Sequence, residues 1–210
     1  KINGGEIIEG VLIPTKSRTT ACISSQAGCS LACKFCATGR LKLIRNLSPG
    51  EIFDQVVYLK NEAEKIYNKT LNNIVYMGMG EPLLNYKNML RSIELICSKD
   101  GLGMSPKRIT VSTAGIAKMI KKLGDDLVKF NLALSLHAAN DKKRSLIMEI
   151  NNSNNLNSLR ESLKYFYEKT KSRITFEYII FKNFNDTIED AEELAKFARC
   201  VPCKINIIEY

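Results

Sequence analysis

Short apolar runs alternate with longer amphipathic segments along this chain. The runs fall at residues 21–24, 74–77, 109–112, 132–136, 174–181 and 205–208. Several are rich in Ile and Val and apolar nearly throughout, which is the pattern of parallel strands covered by helices. Between them, apolar positions recur at helical spacing. Ser48-Pro49-Gly50-Glu51 reads as a capping box with proline at the first helical position, followed by Ile52, Val56, Val57, Ala63 and Ile66. Asp186 with Glu189 predicts another helix start, ahead of the stripe Ile188, Ala191, Leu194, Ala195 and Ala198. Further helices are predicted over 86–98, 116–123, 142–148 and 156–169. Residues 151–157 are polar and Asn-rich and read as a surface loop. Six strand-then-helix steps predict an α/β fold with a mainly parallel sheet. Periodicity does not decide whether that sheet is open or curls into a partial barrel.

Bulk composition changes this picture little. The chain has 210 residues, 45% hydrophobic and 25% charged, and nothing in it reads as an interdomain linker. No apolar run reaches about 18 residues, so no membrane helix is expected, and no signal peptide is expected either. The chain opens on Lys1 and closes on Tyr210 straight after a strand-like run, so it reads as the core of a longer protein. The net charge of +9 suits a polyanionic partner such as RNA.

The seven cysteines change more. Their odd number suits metal-bound or catalytic thiols in a cytoplasmic protein better than disulfides in a secreted one. Cys29, Cys33 and Cys36 form C-x3-C-x2-C within eight residues, after the first predicted strand. α/β barrels place their chemistry at such strand ends. A 4Fe–4S cluster normally takes four thiolates, one per iron, so three leave one iron open. Zinc is the rival metal; it takes four ligands, which Cys22 or the pair Cys200 and Cys203 would have to complete. The small residues Ala27, Gly28, Ser30 and Ala32 let the backbone wrap closely, and the spacing favours the cluster. Cys200-Val-Pro-Cys203 has redox spacing but falls at a helix end and reads as structural. Cys97, in an apolar helix stripe, reads as core.

Three further constellations follow predicted strands. Met77-Gly78-Met79-Gly80-Glu81-Pro82 exposes backbone groups beside a carboxylate. Ser112-Thr113-Ala114-Gly115 offers hydroxyls. Ser135-Leu136-His137 carries the only histidine. Each is weak alone; together, at successive strand ends, they predict one ligand site. Basic groups occur at Lys16 and Arg18, at Arg40, Lys42 and Arg45, and at Lys142, Lys143 and Arg144. The second set either guides an RNA backbone toward the cysteines or forms a solvated rim.

Taken together, these residues resemble the radical S-adenosylmethionine superfamily. S-S-Q-A-G-C-S-L-A-C-K-F-C, V-Y-M-G-M-G-E-P-L-L-N, I-T-V-S-T-A-G and L-A-L-S-L-H-A-A-N-D resemble its RlmN/Cfr branch of RNA methyltransferases, from about Glu9 to the end of the chain. The resemblance implies a radical-SAM core domain over residues 1–210, folded as a partial (β/α)6 barrel. It also implies a 4Fe–4S cluster on Cys29, Cys33 and Cys36, with S-adenosylmethionine chelating the open iron. Gly80, Glu81, Ser112, Ser135, Leu136 and His137 would line the cofactor pocket. Cys22 matches the second catalytic cysteine, and Glu9 a proposed proton acceptor. The implied reaction methylates an adenine ring carbon in rRNA and tRNA through a methyl-cysteine and a 5′-deoxyadenosyl radical, and closes with a disulfide. C2 is expected as the target, with C8 as the alternative; a zinc-stabilised RNA-binding module is the non-enzymatic one. The implied electron donor is a flavodoxin or ferredoxin, and a monomer is expected. An N-terminal accessory domain and a C-terminal segment with the methyl-carrying cysteine are implied to lie outside this chain. The piece alone is therefore expected not to complete turnover.

Overall fold

Alternating turn residues and apolar runs punctuate the chain as the sequence predicts. The computed structural model describes residues 4–209; Lys1 and Tyr210, the two ends singled out above, lie outside the described residues. All six predicted runs form strands, and each predicted helix forms within one or two residues of its expected bounds. The fold divides into two units, one from residues up to 30 with 37–112, the other from 31–36 with 113 onward.

The first unit holds β1 (Val11–Pro14), β2 (Thr19–Cys22), β3 (Gln26–Ala27), β4 (Arg45–Asn46), α1 (Pro49–Tyr67), β5 (Asn73–Tyr76), α2 (Tyr86–Cys97) and all but the last residue of β6 (Ile109–Thr113). β2, β5 and β6 run parallel in that order. β1, which the sequence pattern missed, pairs antiparallel with β2, Val11 opposite Cys22. Its four residues are too short a run between Gly10 and Pro14 to show a period. The Ser48–Glu51 capping box forms as predicted. Ile52, Val56, Leu59 and Ala63 give α1 a buried stripe. α2 lies against α1. Ser92 Oγ donates to the Met89 carbonyl, so the Tyr76 hydroxyl donates to Ser92 (2.7 Å) and ties β5 to α2.

The second unit holds α3 (Ala117–Asp125), β7 (Asn131–Ser135), α4 (Asp141–Ile147), α5 (Leu156–Thr170), β8 (Ile174–Ile180), α6 (Ile188–Ala198) and β9 (Cys203–Glu209). β7, β8 and β9 are parallel, with Ser135 beside Glu177 and Glu177 beside Asn206. Two local expectations are corrected. The cap of α6 is Thr187 with Asp190, not Asp186 with Glu189; Asp186 instead accepts from the Asn183 amide. The Asn-rich stretch is not a simple surface loop. Asn151 is buried, Asn154 accepts from the Ala117 amide at the start of α3, and Asn155 caps α5.

Candidate functional site

In the first unit, the chain leaves β2 at Cys22 and turns toward Cys29 through Ser24, Ser25, Gln26 and Ala27, all buried. Their polar groups need partners away from water, and the turn 77–82 after β5 supplies them. The Ser24 hydroxyl donates to the Glu9 carbonyl (2.7 Å) and accepts from the Met79 amide (2.8 Å). The Ser25 and Gln26 amides both donate to the Met79 carbonyl. Gln26 Oε1 accepts from the Glu81 amide (2.7 Å), and its Nε2 donates to Asn46 (2.7 Å). Asn85 donates to the carbonyls of Ser25 and Leu47. The glycines permit this approach. A Cβ on Gly78 would meet Ser24 and the Ile23 backbone; one on Gly80, at φ +95°, would run into Gln26. Gly28, at φ +81°, lies against the Lys42 backbone in the same way. Glu81 is buried and accepts from the Leu83 amide.

Cys22 ends β2 half-buried. Burial pushes its thiol above the ordinary range, offset in part by a hydrogen bond with the Met77 backbone. The Glu9 side chain is exposed. Its carbonyl accepts from the hydroxyl of Ser24, which lies two residues beyond the cysteine that faces Val11 in the ladder. Ser112 lies in β6, nearly buried.

In the second unit, Ser135 ends β7, and Leu136 and His137 follow, both buried. The Leu136 and His137 amides donate to the Glu177 carbonyl. His137 adopts φ +54°, the left-handed region that a side chain enters only when its surroundings hold it there. Asn185 holds it, donating to the His137 carbonyl (2.6 Å). His137 Nδ1 accepts from the Ile179 amide (3.1 Å), so the neutral ring carries its proton on Nε2. Burial, reinforced by the Arg144 charge, lowers its pKa to about 3. The cysteine-bearing segment 31–36 packs here. Phe35 meets the His137 ring edge-on, with centroids 4.7 Å apart, and lies tilted against Phe181. The Lys34 amide donates to the Ile147 carbonyl, and Cys36 to that of Cys33. Ala32 bends the segment at φ +49°.

Cys29 thus belongs to the first unit and Cys33 and Cys36 to the second. All three are half-buried and form no disulfide among the described residues. Among the described residues, no three His, Cys, Asp or Glu side chains converge as ligands of one ion. A cubane asks for something else, one thiolate per iron. Three thiols would serve three of its irons and leave the fourth open.

Sequence reasoning missed the residues that hold these loops: Gln26, Asn85, Asn185 and, above all, Arg144. Arg144 stands in sequence with Lys142 and Lys143 as one of three basic groups, yet its side chain is fully buried. Arg45 and Lys143 are not open charges either. Arg45 bridges Glu6 (3.1 Å) and Glu51 (2.8 Å), and Lys143 pairs with Asp190 (2.6 Å). Arg40 and Lys42 are exposed. The acidic partners lie up to 47 positions away in sequence, so only spacing as short as that of Arg45 and Glu51 offered a signal.

Residues 23–198 match the family model of the Radical SAM superfamily, and the chain belongs to it. Over its full 210 residues it is 63% identical to the probable dual-specificity RNA methyltransferase RlmN of Cytophaga hutchinsonii, covering 58% of that protein. It is 58% identical to the relative of the same name from Flavobacterium psychrophilum, covering 60%. The chain therefore spans about three fifths of the length of these curated relatives. A crystal structure of a radical SAM methyltransferase from Sphaerobacter thermophilus matches with a TM-score of 0.93 at 40% identity, over 98% of this chain and 60% of that one. Streptococcus suis SuiB, at 19% identity, TM-score 0.58, 90% of this chain and 38% of that one, shares the fold alone. These matches bear out the α/β class, a radical-SAM partial (β/α)6 barrel with a mainly parallel sheet, and the resemblance to RlmN. Among the described residues no helix is long and apolar enough to cross a membrane.

Proposed function

We propose that this chain is the radical-generating core of a methyltransferase that acts on adenine C2 in rRNA and tRNA. The observation that carries this reading is the 63% identity to a probable RlmN over all 210 residues of the chain. Cys29, Cys33 and Cys36 would hold a 4Fe–4S cluster, and Gly80, Glu81, Ser112, Ser135, Leu136 and His137 would surround S-adenosylmethionine. When bound, the pair supplies a 5′-deoxyadenosyl radical.

The residues present have defined tasks. The glycine turn offers backbone groups at the end of β5, and Gln26 fixes its Glu81 amide. His137 is uncharged at working pH and can donate through Nε2 without competing as a base. Cys22 stays a thiol until a base or electrophile reaches it, since burial disfavours its thiolate. That suits a cysteine that must wait for an RNA adduct before forming a disulfide with a second cysteine outside this chain. Exposed Arg40 and Lys42 suit a phosphate backbone. Glu9 is the expected proton acceptor, and its exposed carboxylate is open to a substrate. The protein would act in the cytoplasm, as a monomer fed electrons by a flavodoxin or ferredoxin.

Anaerobic purification of the full-length protein tests this. The expected product is brown, absorbs near about 400 nm and contains iron and sulfide. With S-adenosylmethionine and a reductant it methylates adenine C2 in ribosomal RNA. A colourless protein with stoichiometric zinc would favour the RNA-binding module, and a methyl group mapped to C8 the Cfr-type activity.

A further inference from the structure

We propose that Arg144 is a positioning residue, which fixes the strand ends that would line the S-adenosylmethionine pocket while its own helix anchors the loop bearing Cys33 and Cys36. Arg144 has this role only if the chain binds that cofactor as proposed above.

A fully buried arginine is costly unless its donors are met, and here each of the three side-chain nitrogens donates, in four hydrogen bonds from five N–H groups. Nε donates to the Leu136 carbonyl (3.1 Å) and one terminal nitrogen to Asn151 Oδ1 (2.8 Å). The other terminal nitrogen donates to the carbonyls of Ala114 (2.6 Å) and Ser135 (3.1 Å). Three of the four acceptors are main-chain carbonyls just at or beyond the C-terminal ends of β6 and β7. Two of them belong to Ser135 and Leu136, expected cofactor contacts. The planar fork sets the spacing of these carbonyls rigidly, which a lysine cannot do.

The same helix reaches the cysteines. Ile147 lies three residues on from Arg144, so the two are neighbours on one face of α4. Its carbonyl, one of the orphans of the last helical turn, accepts from the Lys34 amide (3.0 Å), between Cys33 and Cys36. α4 is therefore a strut with the ligand loop at one contact and the β7 end at another. Asn151, itself held by Asp141 and Ser145, keeps the guanidinium in register.

The test uses the full-length protein with Arg144→Lys and Arg144→Met. The readouts are iron and sulfide content, the S-adenosylmethionine dissociation constant, and the change in the reduced cluster's electron paramagnetic resonance spectrum on adding S-adenosylmethionine. Both variants are expected to load iron and sulfide as wild type does. Both should bind S-adenosylmethionine about tenfold more weakly, the lysine failing to rescue because it cannot span three carbonyls. The spectral change should need correspondingly more ligand. Wild-type affinity and spectral response in either variant would overturn the role, whatever happens to thermal stability. Should neither variant fold, Asn151→Ala, which loosens the fork without removing it, should weaken binding about threefold; unchanged binding there also overturns it. A wild-type protein that takes up no cluster or no S-adenosylmethionine overturns the proposed function and this role together.

Discussion

The two units solve the same problem by opposite means. Each must hold a tight, polar loop at a strand end, away from water. The first unit does it with backbone and omission: Gly78 and Gly80 let one turn press onto the segment before Cys29, and neutral groups of Ser24, Gln26 and Asn85 close the hydrogen bonds. The second does it with side-chain addition, placing a whole arginine and two asparagines behind Ser135-Leu136-His137. Omission tolerates no added atom, whereas a charged scaffold is sensitive to the loss of any partner. The two loops should therefore fail under different perturbations.

The sharpest break should come from Gly80→Ala. At φ +95° an alanine is strained, and its Cβ lands on the Gln26 side chain that fixes the Glu81 amide. The expected loss is about 3–5 kcal/mol of stability, read from denaturant unfolding, because strain and overpacking act together. A cost under about 1 kcal/mol would mean that the turn can shift, and that the contrast between the units is overdrawn.

This contrast also explains what the sequence revealed. The glycines and the Ser48–Glu51 box were legible because each residue type is nearly the only one that performs its task at that spacing. The strands were legible as short apolar runs, mostly buried in β6, β7 and β8 though largely exposed in β9. Arg144 was not legible. Its main acceptors are carbonyls, which every residue has, and nothing in Lys142-Lys143-Arg144 says which of three basic residues turns inward. Asn151 and Asn155 were hidden similarly, since a polar stretch looks alike whether it caps helices or meets solvent. β1 escaped because its pattern is set by pairing with β2 rather than by its own four residues.

Acid should separate the units next. His137 titrates near 3 in the fold against an ordinary value of 6.5. Its neutral form is thus favoured natively, and stability present above pH 6.5 is lost as pH falls toward 3, at about 1.4 kcal/mol per pH unit at most. His137→Asn tolerates the left-handed backbone and should flatten unfolding free energy between pH 6 and about 4. An unchanged slope would assign the acid sensitivity to other groups. In the first unit the matching group is Glu51, which Arg45 holds down to about 2. Its contribution is complete above 4.5 and is lost only as pH falls from there toward 2. Glu51→Gln keeps the capping box but gives up the ion pair, and should cost about 1 kcal/mol at neutral pH. Equal stability of variant and wild type at pH 7 would show that solvent already screens the pair.

The smallest effect tests whether conformation, not glycine itself, defines the first unit's design. Gly50 follows Pro49 in the opening turn of α1, exposed, with a φ any residue can take and nothing within 4 Å of an added Cβ. Replacing it with alanine removes conformational freedom from the unfolded chain and introduces a better helix former. Gly50→Ala should therefore stabilise the protein by about 0.5 kcal/mol, opposite in sign to Gly80→Ala although the chemical change is the same. The two glycines differ only in backbone angle and in what lies where a methyl group would go. If Gly50→Ala instead destabilised the fold by a comparable amount, the steric account of the glycine turn would lose its control. The sensitivity of Gly80 could then no longer be assigned to its approach to Gln26.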